Sequence, residues 1–321
     1  MPISTRITEL LKIQHPIMSA PMAAIADAKL ATAVSKAGGF GILGGGYGDE
    51  AWLRRELDAA GDARIGVGFI TWSMAKNPRL LDLALERKPA AIMLSFGDVA
   101  PHADKIRKAG ALLICQVQTV KHAKAARANG ADILIAQGAE AGGHGDARGT
   151  FALVPAVVDA ARGVPVAAAG GVADGRGLAA ALMLGADGVL IGTRFYATLE
   201  AAIHRAAKER VVATSGDETI RGIMFDIVRR NVWPAPYGIR TLRNAFFEKW
   251  RGREAELLQH QATEAARYEK ARDAGDFDTA AVIVGEAVDM ISDIPPAKEV
   301  VERIAKEASA LLAGSNRFRV A

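Results

Sequence analysis

Apolar residues recur along the chain in eight short, nearly unbroken runs: Pro16–Met22, Phe40–Leu43, Ile65–Ile70, Ala91–Phe96, Leu112–Val117, Ile133–Gln137, Pro165–Ala169 and Gly188–Ile191. Their starts are spaced 24, 25, 26, 21, 21, 32 and 23 residues apart. Runs of this length that do not alternate with polar residues read as strands buried on both faces, the pattern of a parallel sheet. Amphipathic stretches lie between them. Asp27–Ala37, Asp49–Ala60, Asp98–Ala109, Thr119–Asn129 and Asp174–Leu184 each open on a residue able to cap free N–H groups, and each stops at a glycine. Asn77–Arg87 ends instead before Pro89. Eight strand–helix units predict an α/β fold, a closed TIM (β/α)8 barrel, with strands and the first seven helices over residues 1–198.

After Thr193 the texture changes. Residues 199–290 are rich in charge and show no clear strand, which predicts a helical insertion after strand eight, with helices near Leu199–Ala213, Ile220–Arg230 and Leu242–Arg272 and a loop at Trp233-Pro234-Ala235-Pro236. Residues 291–321 hold a last amphipathic stretch, Pro296–Leu312, expected to complete the barrel. The insertion would hang from the C-terminal face. It reads equally as a lid over that face or as the contact surface of a homodimer.

Composition narrows the function classes. The chain has 321 residues, 50% hydrophobic and 24% charged, enough apolar material for a large core. Forty basic against 36 acidic residues leave a net charge of +4, too small and too dispersed for a nucleic-acid surface. One cysteine, Cys115, excludes a disulfide scaffold, and no histidine pair has metal-ligand spacing, so no metal is expected. No charge-free run reaches the roughly 18 residues of a membrane span, and Met1–Ile17 lacks a signal-peptide apolar region. The expected location is the cytoplasm.

In such a barrel, chemistry belongs at the C-terminal ends of the strands. Gly170-Gly171 follows strand seven and Gly192-Thr193 follows strand eight. Glycine-rich turns at these two places form a phosphate cradle, or else two tight turns with no ligand. The longest loop, after strand six, runs Gln137-Gly138-Ala139-Glu140-Ala141-Gly142-Gly143-His144-Gly145. A histidine among glycines has little to pack against, and imidazole suits a base or an anion stabiliser. His15, His102, His122, His204 and His260 read as structural. Gly44-Gly45-Gly46-Tyr47-Gly48 lacks dinucleotide spacing and would leave room for a flat ligand. Ser19-Ala20-Pro21-Met22 suits an apolar ring at the barrel mouth. Gln116, Gln118 and Gln137 need partners there, either a heterocycle or one another.

Taken together, Ala136-Gln137-Gly138, Glu140-Ala141-Gly142-Gly143-His144, Ala169-Gly170-Gly171-Val172-Ala173-Asp174, Gly185-Ala186-Asp187-Gly188-Val189 and Gly192-Thr193-Arg194-Phe195 resemble the nitronate monooxygenase family, formerly 2-nitropropane dioxygenase. His15-Pro16-Ile17-Met18, Arg243-Asn244, Gly285-Glu286-Ala287-Val288 and Ile294-Pro295-Pro296-Ala297 extend the resemblance over essentially the whole chain. It implies a flavin barrel with a helical lid and noncovalent FMN. The cofactor contacts it implies are Ala20, Pro21, Met22, Gln137, Gly142, Gly170, Gly171, Leu190, Ile191, Gly192 and Thr193, with His144 as the catalytic residue. The implied reaction is oxidation of alkyl nitronates by O2 to a carbonyl compound and nitrite, without NAD(P)H. Relatives on this scaffold act as NAD(P)H:quinone reductases or enoyl-acyl carrier protein reductases, which remain the alternative. The sequence departs from the family at Gly68, where an Asn that touches the flavin is usual. Trp233, Tyr237 and Phe246 are candidates either to close over a substrate or to pack within the lid.

Overall fold

The computed structural model describes residues 3–314. Eight strands form one parallel sheet: β1 (Ile17–Ser19), β2 (Ile42–Gly44), β3 (Gly66–Ile70), β4 (Ala91–Ser95), β5 (Leu112–Val117), β6 (Ile133–Gln137), β8 (Val166–Ala169) and β9 (Gly188–Ile191), with β7 (Gly143–Gly145) lying outside it. Neighbours run β1-β9-β8-β6-β5-β4-β3-β2, and a parallel bridge from Met18 to Phe40 joins β1 to the start of the second strand segment, so the barrel closes. All eight expected strands are present. Within each, alternate residues divide between two cores. Met93, Ile114, Ile133, Ile135, Ala167 and Leu190 fill the barrel. Leu113, Cys115, Leu134, Ala136, Val189 and Ile191 face the surrounding helices. Both faces are apolar for that reason.

The helix ends follow the local chemistry. Asp27, Asp49, Thr119 and Asp174 each accept a backbone N–H three residues on. Gly130 and Gly185 leave their helices at φ +81° and +90°, where a side chain would be strained. The helix Thr150–Ala161 carries no side-chain cap and contains Pro155, so its local signal is weak. The last helix, Ala297–Ala313, packs against Gly175–Met183 and Ala28–Lys36 and completes the ring. Residues 315–321 of the expected C-terminal segment lie outside the described residues.

The insertion differs from expectation. It holds β10 (Thr219–Gly222) and β11 (Gly238–Leu242), which join β7 of the histidine loop in an antiparallel sheet ordered β10-β11-β7. Both new strands are short and carry Arg221 and Arg240, so they lack the apolar run that marks a strand. The long stretch expected as Leu242–Arg272 is three helices, Ala245–Trp250, Glu254–Gln259 and Gln261–Ala274, broken where Gly252 turns at φ +74°. Its core, which includes Phe225, Phe246, Phe247 and Trp250, is separate from the barrel cores. Among the described residues no helix is long and apolar enough to cross a membrane.

The other end of the barrel is plugged by the helix Arg6–Leu11, which inserts Ile7 and Leu11. Asp187 holds it there. Its carboxylate accepts from Arg6 Nε at 2.8 Å and Nη2 at 2.6 Å and from Val166 N at 3.1 Å, and its carbonyl accepts from Thr5. Asp187→Ala removes two charge-assisted bonds and leaves the buried Val166 N–H unpaired, while half-exposed Arg6 can turn to water. The expected loss is about 2–3 kcal/mol, read as a lowered midpoint in urea. An unchanged midpoint would refute the clamp.

Candidate active site

Four segments meet at the C-terminal mouth of the barrel and enclose one cavity. Ala20, Pro21 and Met22 come from the loop after β1, Gln137 and Gly142 from the end of β6 and its loop, Gly170 and Gly171 from the turn after β8, and Leu190, Gly192 and Thr193 from β9 and its turn. His144 lies in the same wall. Ile191 does not: its side chain points away from the mouth and packs with the outer core, because strand alternation that turns Leu190 inward turns Ile191 outward.

The glycine turns leave donors exposed to the cavity. Gly170 and Gly171 sit at φ +96° and +74°, and a Cβ on Gly170 would lie 3.0 Å from Ala141 N and Gly138 O. Among the described residues, no acceptor meets the amide N–H of Gly170, Gly171 or Gly192. Thr193 Oγ1 accepts from Gly285 N at 2.9 Å, which leaves its own proton to donate. A ring of free N–H groups with a hydroxyl is the donor set that binds phosphate.

The histidine loop is held from outside. β7 pairs with β11 so that His144 faces Ile239. Arg221 gathers the loop's carbonyls: Nη1 donates to Gly143 O and Gly238 O, at 3.2 and 2.5 Å, and Nη2 donates to Ala139 O and Ala141 O, at 2.9 and 3.2 Å. Burial, with Arg240 beside it, pushes this guanidinium down to about 10. Gln137 Nε2 donates to His144 O at 3.1 Å. Its Oε1 accepts from Gln116 and Gln118, so the three amides chiefly satisfy one another. This knot fixes the loop, while Gln116 and Gln137 also line the cavity.

His144 is buried, with 7% of its surface exposed. Its Nε2 lies 2.9 and 3.0 Å from the two carboxylate oxygens of Asp226, on the lid helix Met224–Val228. Asp226 is itself 3% exposed. A carboxylate only accepts, so the neutral ring carries its proton on Nε2 and leaves a lone pair on Nδ1, which no described protein group bonds. Trp233 stacks on the imidazole at 3.4 Å and 8°. Its indole N–H donates to Tyr47 Oη at 3.2 Å, and Phe96 and Tyr237 close edge-on around it. Phe246 packs inside the lid against Phe225 and plays no part in the cavity.

The charges in this wall are nearly all spoken for. Glu140 accepts from Thr150 N and Oγ1, and Asp226 serves His144. Arg229 lines the cavity with no carboxylate in ion-pair range among the described residues, and its Nη1 is buried without an acceptor. Asp226, Arg221 and Arg229 gave no periodic signal; the one local hint is an acid set in the apolar stretch Ile223-Met224-Phe225-Asp226-Ile227-Val228. Gly68 also lines the cavity, and a Cβ there would run into the Pro21 ring, so the family's Asn has no room in this mouth.

Burial lowers the His144 pKa below its ordinary value of 6.5; Asp226 opposes this, and Arg229 and Arg221 add to it. As pH falls below 6.5 the unfolded chain therefore takes up a proton that the folded chain refuses, and this site's share of stability declines. In Asp226→Asn the opposing carboxylate charge is gone, so the imidazole should titrate lower still. Histidine NMR titration of both proteins checks this, and an upward shift in the variant would contradict it.

The family model described as nitronate monooxygenase matches residues 4–63 and 65–307. A nitronate monooxygenase of Metarhizium robertsii is 36% identical over 92% of this chain and 91% of its own. The solved FabK of Thermotoga maritima superposes with a TM-score of 0.88 at 32% identity, covering 99% of this chain and 100% of that one. A nitroalkane oxidase of Streptomyces ansochromogenes superposes at 0.81 with 26% identity, covering 96% and 99%. With a family match that runs nearly end to end, the chain belongs to the nitronate monooxygenase family of flavin-dependent oxidoreductases.

Proposed function

We propose that this protein binds FMN and oxidises alkyl nitronates with O2 to a carbonyl compound and nitrite. The observation that carries the reading is an oriented imidazole and a guanidinium with no carboxylate in ion-pair range among the described residues, facing one cavity that also presents free amide donors. The phosphate of FMN would be held by the N–H groups of Gly170, Gly171 and Gly192 and by Thr193, with Ala20, Pro21, Met22, Gly142 and Leu190 around the remainder. Bound there, the flavin supplies the acceptor for the substrate's electrons.

The chain's own residues do the rest. Asp226 keeps the Nε2 proton on His144, so Nδ1 is the free basic atom. That atom removes the α-proton when the substrate arrives as a neutral nitroalkane. Asp226 stabilises the imidazolium that results. Arg229 binds the anionic oxygens of the nitronate through its buried Nη1, which has no acceptor among the described residues. Trp233, Tyr47 and Phe96 exclude water from this end of the cavity. The lid is thus part of the site rather than a dimer contact alone.

The purified protein should be yellow, form nitrite from nitronate in air, and not be rapidly bleached by NADH or NADPH under anaerobic conditions. Rapid bleaching would favour the reductase alternative instead. His144→Ala should lose most turnover of neutral nitroalkane, at least about a hundredfold, while retaining more activity on preformed nitronate; equal turnover in mutant and wild type would discard the role.

Arg229→Met should raise KM for nitronate by roughly ten- to a hundredfold with flavin content unchanged, and Arg229→Lys should recover part of that. Steady-state kinetics on the flavin-loaded variants reads the effect. A KM equal to wild type would remove Arg229 from the substrate contact.

A further inference from the structure

A second cavity opens beside the first, between the loop after β4 and the helix Val120–Ala128, beneath Pro234 and Tyr237 of the lid. Its floor is apolar, made by Val99, Cys115, Val117 and Ala126. The two cavities share a wall: Phe96 and Gln116 line both.

Phe96 is unusual in its backbone. It stands at φ +58°, a left-handed conformation that a bulky residue seldom adopts. Its ring is wedged edge-to-face between Trp233 and Tyr237, each 5.0 Å away. Strain of this kind persists where the surroundings impose it, and it collects at the walls of ligand sites. Trp72, in the wall of the second cavity, buries an indole N–H with no acceptor among the described residues. A buried donor left open is a second sign that something other than protein completes this wall. The titratable groups lining the cavity are Asp98, which is exposed, half-buried His122 and Tyr237, and the buried thiol of Cys115; the one carboxylate lies at the exposed edge, so the interior selects against a charged tail.

We propose that this second cavity is a tail subsite: it takes the unbranched apolar chain of the substrate while the reacting carbon stays beside His144, and Phe96 is the partition that sets which chains pass. The inference rests on the nitronate reading for the head group and adds the class of substrate, long-chain rather than short.

The test is a series of nitronates made from primary 1-nitroalkanes of two to eight carbons. Each methylene buried beyond Phe96 should raise kcat/KM by about fourfold. Ala125 lies on the exposed side of the cavity-lining helix, so a larger side chain there disturbs no core. Ala125→Phe should cut the eight-carbon to two-carbon ratio by about tenfold or more. A flat series, or a ratio unaltered by Ala125→Phe, overturns the subsite. Binding of 1-octanol, read by tryptophan fluorescence with ethanol as control, separates the two proposals. Saturable binding that weakens about tenfold in Ala125→Phe supports the subsite even where no nitronate is turned over, in which case the nitronate reading alone has failed. Octanol binding that is absent, or equal in both proteins, overturns the subsite.

Discussion

A loop of glycines cannot hold a histidine still, and the site depends on how that is overcome. Gly142, Gly143 and Gly145 bring no side chains to order the loop, and each glycine loses more freedom on folding than any other residue. Much of the order comes from one half-buried guanidinium. Arg221 donates to the carbonyls of Ala139, Ala141 and Gly143 along the loop and of Gly238 on the strand beside it. A planar, fixed fork with several donors can register several carbonyls at once in a way a flexible ammonium cannot. Its cost is desolvation, visible in the fall of its pKa to about 10. The glycines in turn are what allow the approach. Gly142 and Gly285 pack backbone to backbone, and a Cβ on either would strike the other segment.

Once the loop is registered, the remaining electrostatics follow. The Asp226 carboxylate is turned to the imidazole and that of Glu140 to Thr150, while Arg229 has no carboxylate in ion-pair range among the described residues. That guanidinium offers an anionic guest a partner, and burial keeps the histidine in the neutral form, which has a lone pair able to accept a proton. Both properties arise from the lid helix Met224–Val228 and the residue that follows it, which makes the insertion as necessary to the chemistry as the barrel. The barrel contributes the opposite end, where the free N–H groups of two glycine turns await an anion of their own.

Much of this was legible in the chain because its causes are local. Buried strands announce themselves as unbroken apolar runs, helices by a capping residue at one end and glycine at the other, and the turns after the last two barrel strands by paired glycines. These signals need only neighbouring residues, so all eight strands, the last barrel helix and the histidine loop could be read directly, whereas the eleven cofactor candidates, ten of which line the mouth, came from the family resemblance.

The rest is set by contacts that sequence spacing does not encode. His144 and Asp226 are 82 residues apart, as are Arg221 and Ala139. The sheet that joins the loop to the lid is built of strands too short and too polar to show a period. Whether three glutamines meet a ligand or one another, and whether Phe96 divides one cavity or two, likewise depends on which groups the closed barrel brings within bonding distance. By itself the sequence determined the barrel, its glycine turns and the place of the histidine, because backbone preference and hydrophobic period act over a few residues. Only the tertiary structure decided which charge faces that histidine and which is left free, because a buried charge is defined by partners that the chain must fold to find.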